Sequence, residues 1–416
     1  MMKKLIILTL CIGALAVSSC SSSDEPGTGG TEKVEPALPI ELTATQARMV
    51  DGYNRFAINL MRETVKSELK ENPNTLVSPM SMEMALSLLA NGADGETLNE
   101  LASLLGIDGK DLPELNALNR RFLDLLPEID SRTRLSMANS VWSTSGAVLP
   151  SYTAKMAKAY DAEAMQLGGS GEDSRRRINS WIEEKTDGMI KDMLLSAPQG
   201  PVVLTNALYF RSVWNVRFDR KLTKPAEFTC QDGTRSRVQM MDSGDNAVSV
   251  SETGNASVID LPYGNGAYMM HVVLPHEGIE LSDVVGNLTV EDLLSDRGKT
   301  PAGVRLPRFD LGSSHEMKDV VAAMGAKSVF HDADLSKMLD GGEAVGSIHH
   351  NCHITVDEHG SEAAAATVID IFGSTQGSNT VRPAVLEVNR PFMFVINEQS
   401  TGAILFMGNV SELEGE

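Results

Sequence analysis

The chain has 416 residues, 42% of them hydrophobic, a length and apolar content that allow two or three ordinary domains or one large one and exclude wholesale disorder. Its net charge of −20, with 36 basic against 56 acidic residues, excludes a nucleic-acid binder, which needs basic surface to displace counterions from phosphate. Four cysteines in this length exclude a disulfide scaffold.

The first predicted element is an export leader. Met1–Lys4 is a basic start and Leu5–Val17 an apolar run, too short for the roughly 20 residues that span a bilayer. A signal peptide cut at small residues is the plainer reading. Val17-Ser18-Ser19-Cys20 also resembles the lipobox of bacterial lipoproteins, where cleavage precedes the cysteine and lipid is attached to it. A polar, Gly-rich stretch, Ser21–Gly30, follows at once and reads as a flexible tether. The expected organisation is a leader over residues 1–19, lipidated Cys20 with a tether over 20–39, and a folded region over 40–416. Loss of Lys3 and Lys4 with the leader takes the charge from −20 to −22. Cys230 and Cys352 then remain for folding, and nothing in the sequence brings them together.

Along the folded region, periodicity predicts a helix over about Thr45–Glu71 with Tyr53, Phe56, Ala57, Leu60 and Met61 on one face. Ser78-Pro79 reads as a helix cap followed by proline in the first turn. Met82, Ala85, Leu86 and Leu89 form the buried face, and Asn91-Gly92 the stop. Val202–Phe210 is nearly continuous in apolar character, as in a central strand covered on both faces. Phe392–Ile396 and Ala403–Met407 read as a hairpin joined by Glu398–Gly402. No internal repeat or second linker divides this mixed α and β region.

Enzyme signatures are missing from the sequence. There is no GxSxG elbow, P-loop or dinucleotide fingerprint. His276-Glu277 and His315-Glu316 each lack the second histidine of a zinc-protease helix. The densest ligand-type cluster is His349, His350, Cys352 and His353. Strand alternation would split it between two faces, so no metal site and no cofactor are expected.

Residues 356–372 are conformationally ambivalent. Four alanines and Ser361 favour a short capped helix or an Ala-rich linker; Thr367-Val-Ile with Ile371 and Phe372 favours strand. As a strand, one face carries Ser361, Ala363, Ala365, Thr367, Ile369 and Ile371. The other carries Glu362, Ala364, Ala366, Val368, Asp370 and Phe372. Both charges fall on one face, and the opposite face is small, then apolar.

Glu358-His-Gly-Ser-Glu-Ala-Ala-Ala-Ala-Thr367 resembles the reactive-loop hinge of inhibitory serpins. Asn74–Ser81 through Gly92–Thr97 is similar to the family's early helix block, and Thr205–Trp214 to its central strand. Asn389–Phe394 and Ile404–Gly408 are similar to its terminal strands. These matches run in family order over about residues 45–410. The resemblance implies one large mixed α and β domain with the serpin fold. It would have three β-sheets, about eight to nine helices and an exposed reactive-centre loop over about 358–381. It implies no enzyme but a suicide inhibitor of serine proteases, with cysteine proteases as a second class. A target cleaves the loop, forms an acyl-enzyme, and is dragged away as the loop inserts into the central sheet. A non-inhibitory cell-surface binding protein of the same fold is the alternative.

Residue by residue, the resemblance places the hinge at Glu358, Gly360, Ser361, Glu362, Ala363, Ala364, Ala365, Ala366 and Thr367. It places a polar shutter beneath the sheet at Ser78, Ser81, Asn206 and His350, and the breach, where insertion begins, at Trp214, Arg308 and Glu358. A Glu358–Arg308 pair would contribute about 0–1 kcal/mol if exposed. Family spacing puts the scissile bond at Ser374-Thr375, with Phe372 as alternative. Ser374 suits elastase- or subtilisin-like targets and Phe372 chymotrypsin-like ones; no Lys or Arg lies between Gly360 and Val381. The expected state is a monomer on the bacterial envelope, at the outer membrane, held through Cys20, with target proteases as partners and no nucleic acid.

Overall fold

The chain enters its fold through an amphipathic helix, α1 (Ala44–Glu68), whose Tyr53, Phe56, Ala57, Leu60 and Met61 are buried as the periodicity predicts. The computed structural model describes residues 35–68, 73–168, 170–186, 188–295, 298–340, 343–361 and 384–415. All of these belong to one compact unit. After β1 (Thr75–Val77), Ser78 caps α2 (Pro79–Gly92), its hydroxyl accepting from the Ser81 amide at 3.3 Å. All fourteen residues of α2 are buried, polar Ser81, Glu83, Ser87 and Asn91 among them, so burial extends beyond the one face that the sequence predicts. Then come α3 (Gly95–Leu104), α4 (Leu112–Leu125), β2 (Arg134–Ser143), α5 (Pro150–Tyr160), β3 (Glu163–Gln166), α6 (Gly171–Lys185) and β4 (Val202–Val213). The middle of the chain is mostly strand: β5 (Lys224–Thr229), β6 (Arg235–Asp242), β7 (Val248–Glu252), β8 (Ala256–Pro262) and β9 (Tyr268–Pro275). Two short helices, α7 (Leu281–Asn287) and α8 (Val290–Leu294), precede β10 (Thr300–Pro307), β11 (Phe309–Glu316) and α9 (Lys318–Ala323). The chain ends with β12 (Val345–Val356), β13 (Gly360–Ser361), β14 (Val385–Glu387), β15 (Phe392–Glu398) and β16 (Ile404–Val410).

Nine α-helices and two sheets are present among the described residues. The larger sheet runs β1-β16-β15-β9-β8-β7-β10-β6-β5, with β14 on β10. The smaller runs β11-β12-β13-β4-β2-β3. The resemblance implied three sheets. Hydrogen bonding joins two of them, because β10 pairs with β7 over Thr300–Ala302 and with β6 over Arg305–Pro307.

β4 explains its own sequence. Its Val202, Leu204, Leu208 and Phe210 enter the main core, while Val203 and Ala207 face a second cluster built on Trp142, Ile178, Trp181 and Ile182 under α6. Both faces are covered, so the strand reads apolar almost throughout. Both strands of the β15–β16 hairpin are buried throughout. Its turn is held by the Glu398 carboxylate, which accepts from the amides and hydroxyls of Ser400 and Thr401.

Candidate functional site

β4 and β12 are parallel neighbours over Val202–Tyr209 and Val345–His353, then part. Between their separated ends sits β13. Ser361 lies opposite Val356 on one side and Ser212 on the other, with Gly360 opposite Val213. The chain reverses from β12 into β13 through Asp357–Gly360, closed by Asp357 N–H to Gly360 O at 2.9 Å and braced by the Asp357 carboxylate, which accepts from the His359 amide. Gly360 has φ +150°, and a Cβ there would lie 2.0 Å from the Ser212 carbonyl oxygen, so only glycine fits.

The loop base is clamped by the segment that follows β4. Trp214 donates its amide to His359 O at 2.7 Å and its indole N–H to Asp357 O at 2.8 Å; the Phe218 amide donates to Glu358 O. Trp214 in turn stacks on Tyr263, centroids 4.4 Å apart, and the Tyr263 hydroxyl meets Ser361 Oγ at 2.6 Å. Burial raises the Tyr263 phenol well above its usual range, so it stays neutral. Ser361 is fully buried, as are its neighbours Ser212 and Thr133, which share a 2.7 Å hydrogen bond ending on Asp130.

Glu358 and Arg308 are brought together. Arg308 Nε lies 3.0 Å from both carboxylate oxygens, its Nη2 also donates to Oε1, and the Thr223 hydroxyl donates to the same oxygen. The Glu358 side chain is 1% exposed and that of Arg308 36%. The pair is therefore not the surface contact for which 0–1 kcal/mol applies: loss of one partner leaves a buried charge uncompensated. Burial pushes the Glu358 carboxyl up, but the Arg308 and Thr223 hydrogen bonds outweigh it and hold it below the usual value.

The predicted shutter residues also meet, beneath the closed part of the sheet. His350 Nδ1 donates to Asn206 Oδ1 at 2.8 Å, and His350 Nε2 accepts from the Ser78 amide at 2.9 Å and from the Cys352 thiol at 3.2 Å. Ser78 Oγ donates to Leu405 O, and Asn206 Nδ2 donates to Ser81 O and Asn139 Oδ1. Ser81 joins through its backbone; its hydroxyl has no partner among the described residues. Burial, then the nearby His315, lower His350 to about 3, so it is neutral. Burial likewise pushes the Cys352 thiol up. Strand alternation leaves His349 and His353 half-buried on the opposite face, and Cys230 and Cys352 are both free and buried.

Sequence reasoning missed Tyr263, Thr223, Asn139 and Cys352. Cys352 alone carried a local signal, two residues from His350 on one strand face. Glu362, Ala363, Ala364, Ala365, Ala366 and Thr367 of the hinge, the reactive-bond residues Phe372, Ser374 and Thr375, and Cys20 lie outside the described residues.

Residues 51–413 match the family model described as Serpin (serine protease inhibitor). A serpin-like protein of Thermococcus kodakarensis is 30% identical over 370 residues, 87% of this chain and 85% of its own. The native structure of the thermophilic serpin tengpin superposes with TM-score 0.77 at 27% identity, over 92% of this chain and 97% of tengpin. Human thyroxine-binding globulin has the same fold, with TM-score 0.79 at 23% identity, over 89% of this chain and 100% of the globulin. With its fold, its ordered motifs and a family match across most of its length, the chain belongs to the serpin family.

Proposed function

We propose that this serpin is an irreversible suicide inhibitor of serine proteases, with cysteine proteases as a second target class. The observation that carries the reading is the state of the smaller sheet. β4 and β12 pair directly below, are parted above, and hold Gly360 and Ser361 of the loop between them. A sheet in that state gains ladder hydrogen bonds and apolar burial by accepting more of the loop. The hinge composition supports it, since Ser361, Ala363 and Ala365 are the residues that would turn inward, and none is bulky or charged.

Cleavage falls at Ser374-Thr375, or after Phe372, which makes elastase-, subtilisin- or chymotrypsin-like enzymes the targets. The inhibitor acts as a monomer held at the bacterial outer membrane by lipid on Cys20. The test incubates the soluble folded region with a panel of such proteases. An SDS-resistant covalent complex, with loop fragments ending at Ser374 or Phe372 by mass spectrometry, is the expected result. Cleavage without a complex across the whole panel overturns inhibition. It would favour a non-inhibitory cell-surface binding protein; the complex of thyroxine-binding globulin with its ligand shows that the fold can serve binding.

A further inference from the structure

Two stretches of chain stand on either side of the place where β4 and β12 part. One is the turn that follows β12, residues 357–360; the other follows β4, residues 214–223. Several bonds tie them. The Trp214 and Phe218 amides donate to His359 O and Glu358 O, the Trp214 indole to Asp357 O, and the Thr223 hydroxyl to Glu358. A further tie joins two side chains: Arg220 Nη2 lies 3.2 Å from His359 Nδ1. His359 is half-buried and Arg220 exposed.

The chemistry of this last tie is conditional. A guanidinium donates and cannot accept, so His359 Nδ1 is the acceptor and the ring proton sits on Nε2. A second group stands close to the same nitrogen. Asp357 Oδ2 is 3.6 Å from Nδ1, just beyond hydrogen-bond reach, while Asp357 Oδ1 accepts from the His359 and Gly360 amides at 2.7 and 3.3 Å. Protonation of the ring would reverse the role of Nδ1. As a donor it would be repelled by Arg220 and would find its acceptor in Asp357, within its own turn. The neighbouring charges are engaged: Arg308, between β10 and β11, holds Glu358, and Asp219, beside Arg220, accepts from the Lys221 amide at 2.9 Å. Glu358 is held below its usual value and stays ionised in mild acid. Histidine is the side chain whose charge changes there. Of these ties, the His359–Arg220 contact is the one that mild acid reverses.

We propose that His359 and Arg220 form a strap between the continuations of β12 and β4, released in mild acid, so that acidity regulates entry of the loop into the smaller sheet. This rests on the insertion reading above and deepens it. Further opening requires β4 and β12 to move relative to each other, and a bond between their continuations resists that movement. In acid the ring changes partner from the far side of the opening to its own side, and the resistance falls.

The test uses the full-length chain with His359→Ala, Arg220→Ala, the double variant, and His359→Asn, whose Oδ1 takes the place of Nδ1 as an acceptor that does not titrate. Thermal midpoints of the intact proteins at pH 8 and 5.5 form a double-mutant cycle. The two positions should be coupled at pH 8, and at pH 5.5 the coupling should vanish or change sign. No coupling at pH 8, or equal coupling at both, overturns the strap. Each protein is then held at pH 5.5 or 8, returned to pH 8, and assayed for residual trapping of a protease that wild type inhibits. Loss of trapping with a raised thermal midpoint reports loop entry. Wild type should lose trapping about fivefold faster at pH 5.5 than at pH 8, the factor of roughly one hydrogen bond. His359→Asn should be slow at both values and Arg220→Ala fast at both. Equal wild-type rates, or a His359→Asn protein that keeps the acid response, overturns regulation through His359 and leaves insertion standing. A wild type that traps no protease even before incubation overturns the insertion reading and the regulation with it, while the midpoint cycle still decides whether the contact exists.

Discussion

His350 is held neutral by its neighbours as much as by burial. Its Nε2 faces the Ser78 amide and the Cys352 thiol, two donors, so a proton there would displace both. Its pKa is lowered to about 3, against about 6.5 in the unfolded chain. A depressed histidine contributes stability that is full above about pH 6.5 and is lost as pH falls, because the unfolded state takes up the proton first. Between pH 6.5 and 5 that loss is about 2 kcal/mol. The thermal midpoint of wild type should exceed that of His350→Gln at pH 7.5, and the gap should narrow at pH 5; a gap that stays constant or widens contradicts the assignment. At this scale the sequence was partly legible. Gly360, Ser361 and Glu358 announce themselves in one short motif, because one strand turn needs all three. Tyr263 and Thr223 do not: each is about a hundred residues or more from its partner, and a lone Tyr or Thr at the edge of a strand carries no mark of the hydrogen bond it makes.

At the scale of elements, α2 carries a group that opposes His350. Glu83 is buried in this helix, hydrogen-bonded by Ser87 Oγ at 2.9 Å and Asn119 Nδ2 at 3.1 Å. Burial raises its carboxyl to about 7, the two hydrogen bonds only partly countering it. For a raised acid the native state keeps its proton longer than the unfolded state. Stability is therefore greatest below about pH 4.5 and declines as pH climbs to about 7, by roughly 3 kcal/mol. Glu83→Gln should raise the thermal midpoint at pH 8 and leave it nearly unchanged at pH 4.5. Equal effects at both values would mean that Glu83 does not titrate in the fold. The charge stands out in Met82-Glu83-Met84, but nothing local says whether such a residue is buried.

The hinge segment that the proposed mechanism inserts carries the other sharp expectation. Under the proposed insertion, Ala363→Arg would turn a charge into the sheet interior, at a cost of several kcal/mol. It should convert the inhibitor into a substrate, cleaved at an undiminished rate but trapping at least tenfold less protease. Full trapping by this variant would refute the inward assignment of Ala363. Element identities were well marked in the sequence for α1, α2, β4 and the β15–β16 hairpin, where periodicity and caps coincide. The joining of two expected sheets through β10 was not. A strand that changes partner halfway, from β7 to β6, needs no change in its own alternation.

For the whole molecule, the size of the fold follows from its design. If the sheet opens between β4 and β12, as the proposed mechanism requires, it needs cores on both faces that persist while it does, the main core beneath and the α6 cluster above. The open end is staked by the Trp214–Tyr263 stack and the Arg308–Glu358 pair, and the closed end by the His350–Asn206 cluster. The family could be read from ordered motifs across the chain, whereas the place of Gly360 and Ser361 in the ladder between β4 and β12 could not. Occupancy of a strand slot depends on the balance between two edges, not on the composition of either.

The most direct measurement is the thermal unfolding of the folded region before and after a single cut in the loop. If the smaller sheet accepts the loop as a new central strand, about ten added ladder bonds at roughly 1 kcal/mol each should raise the midpoint on the order of 10 °C or more. An unchanged or lowered midpoint, with the cut verified by mass, would contradict insertion and the inhibitory mechanism built on it.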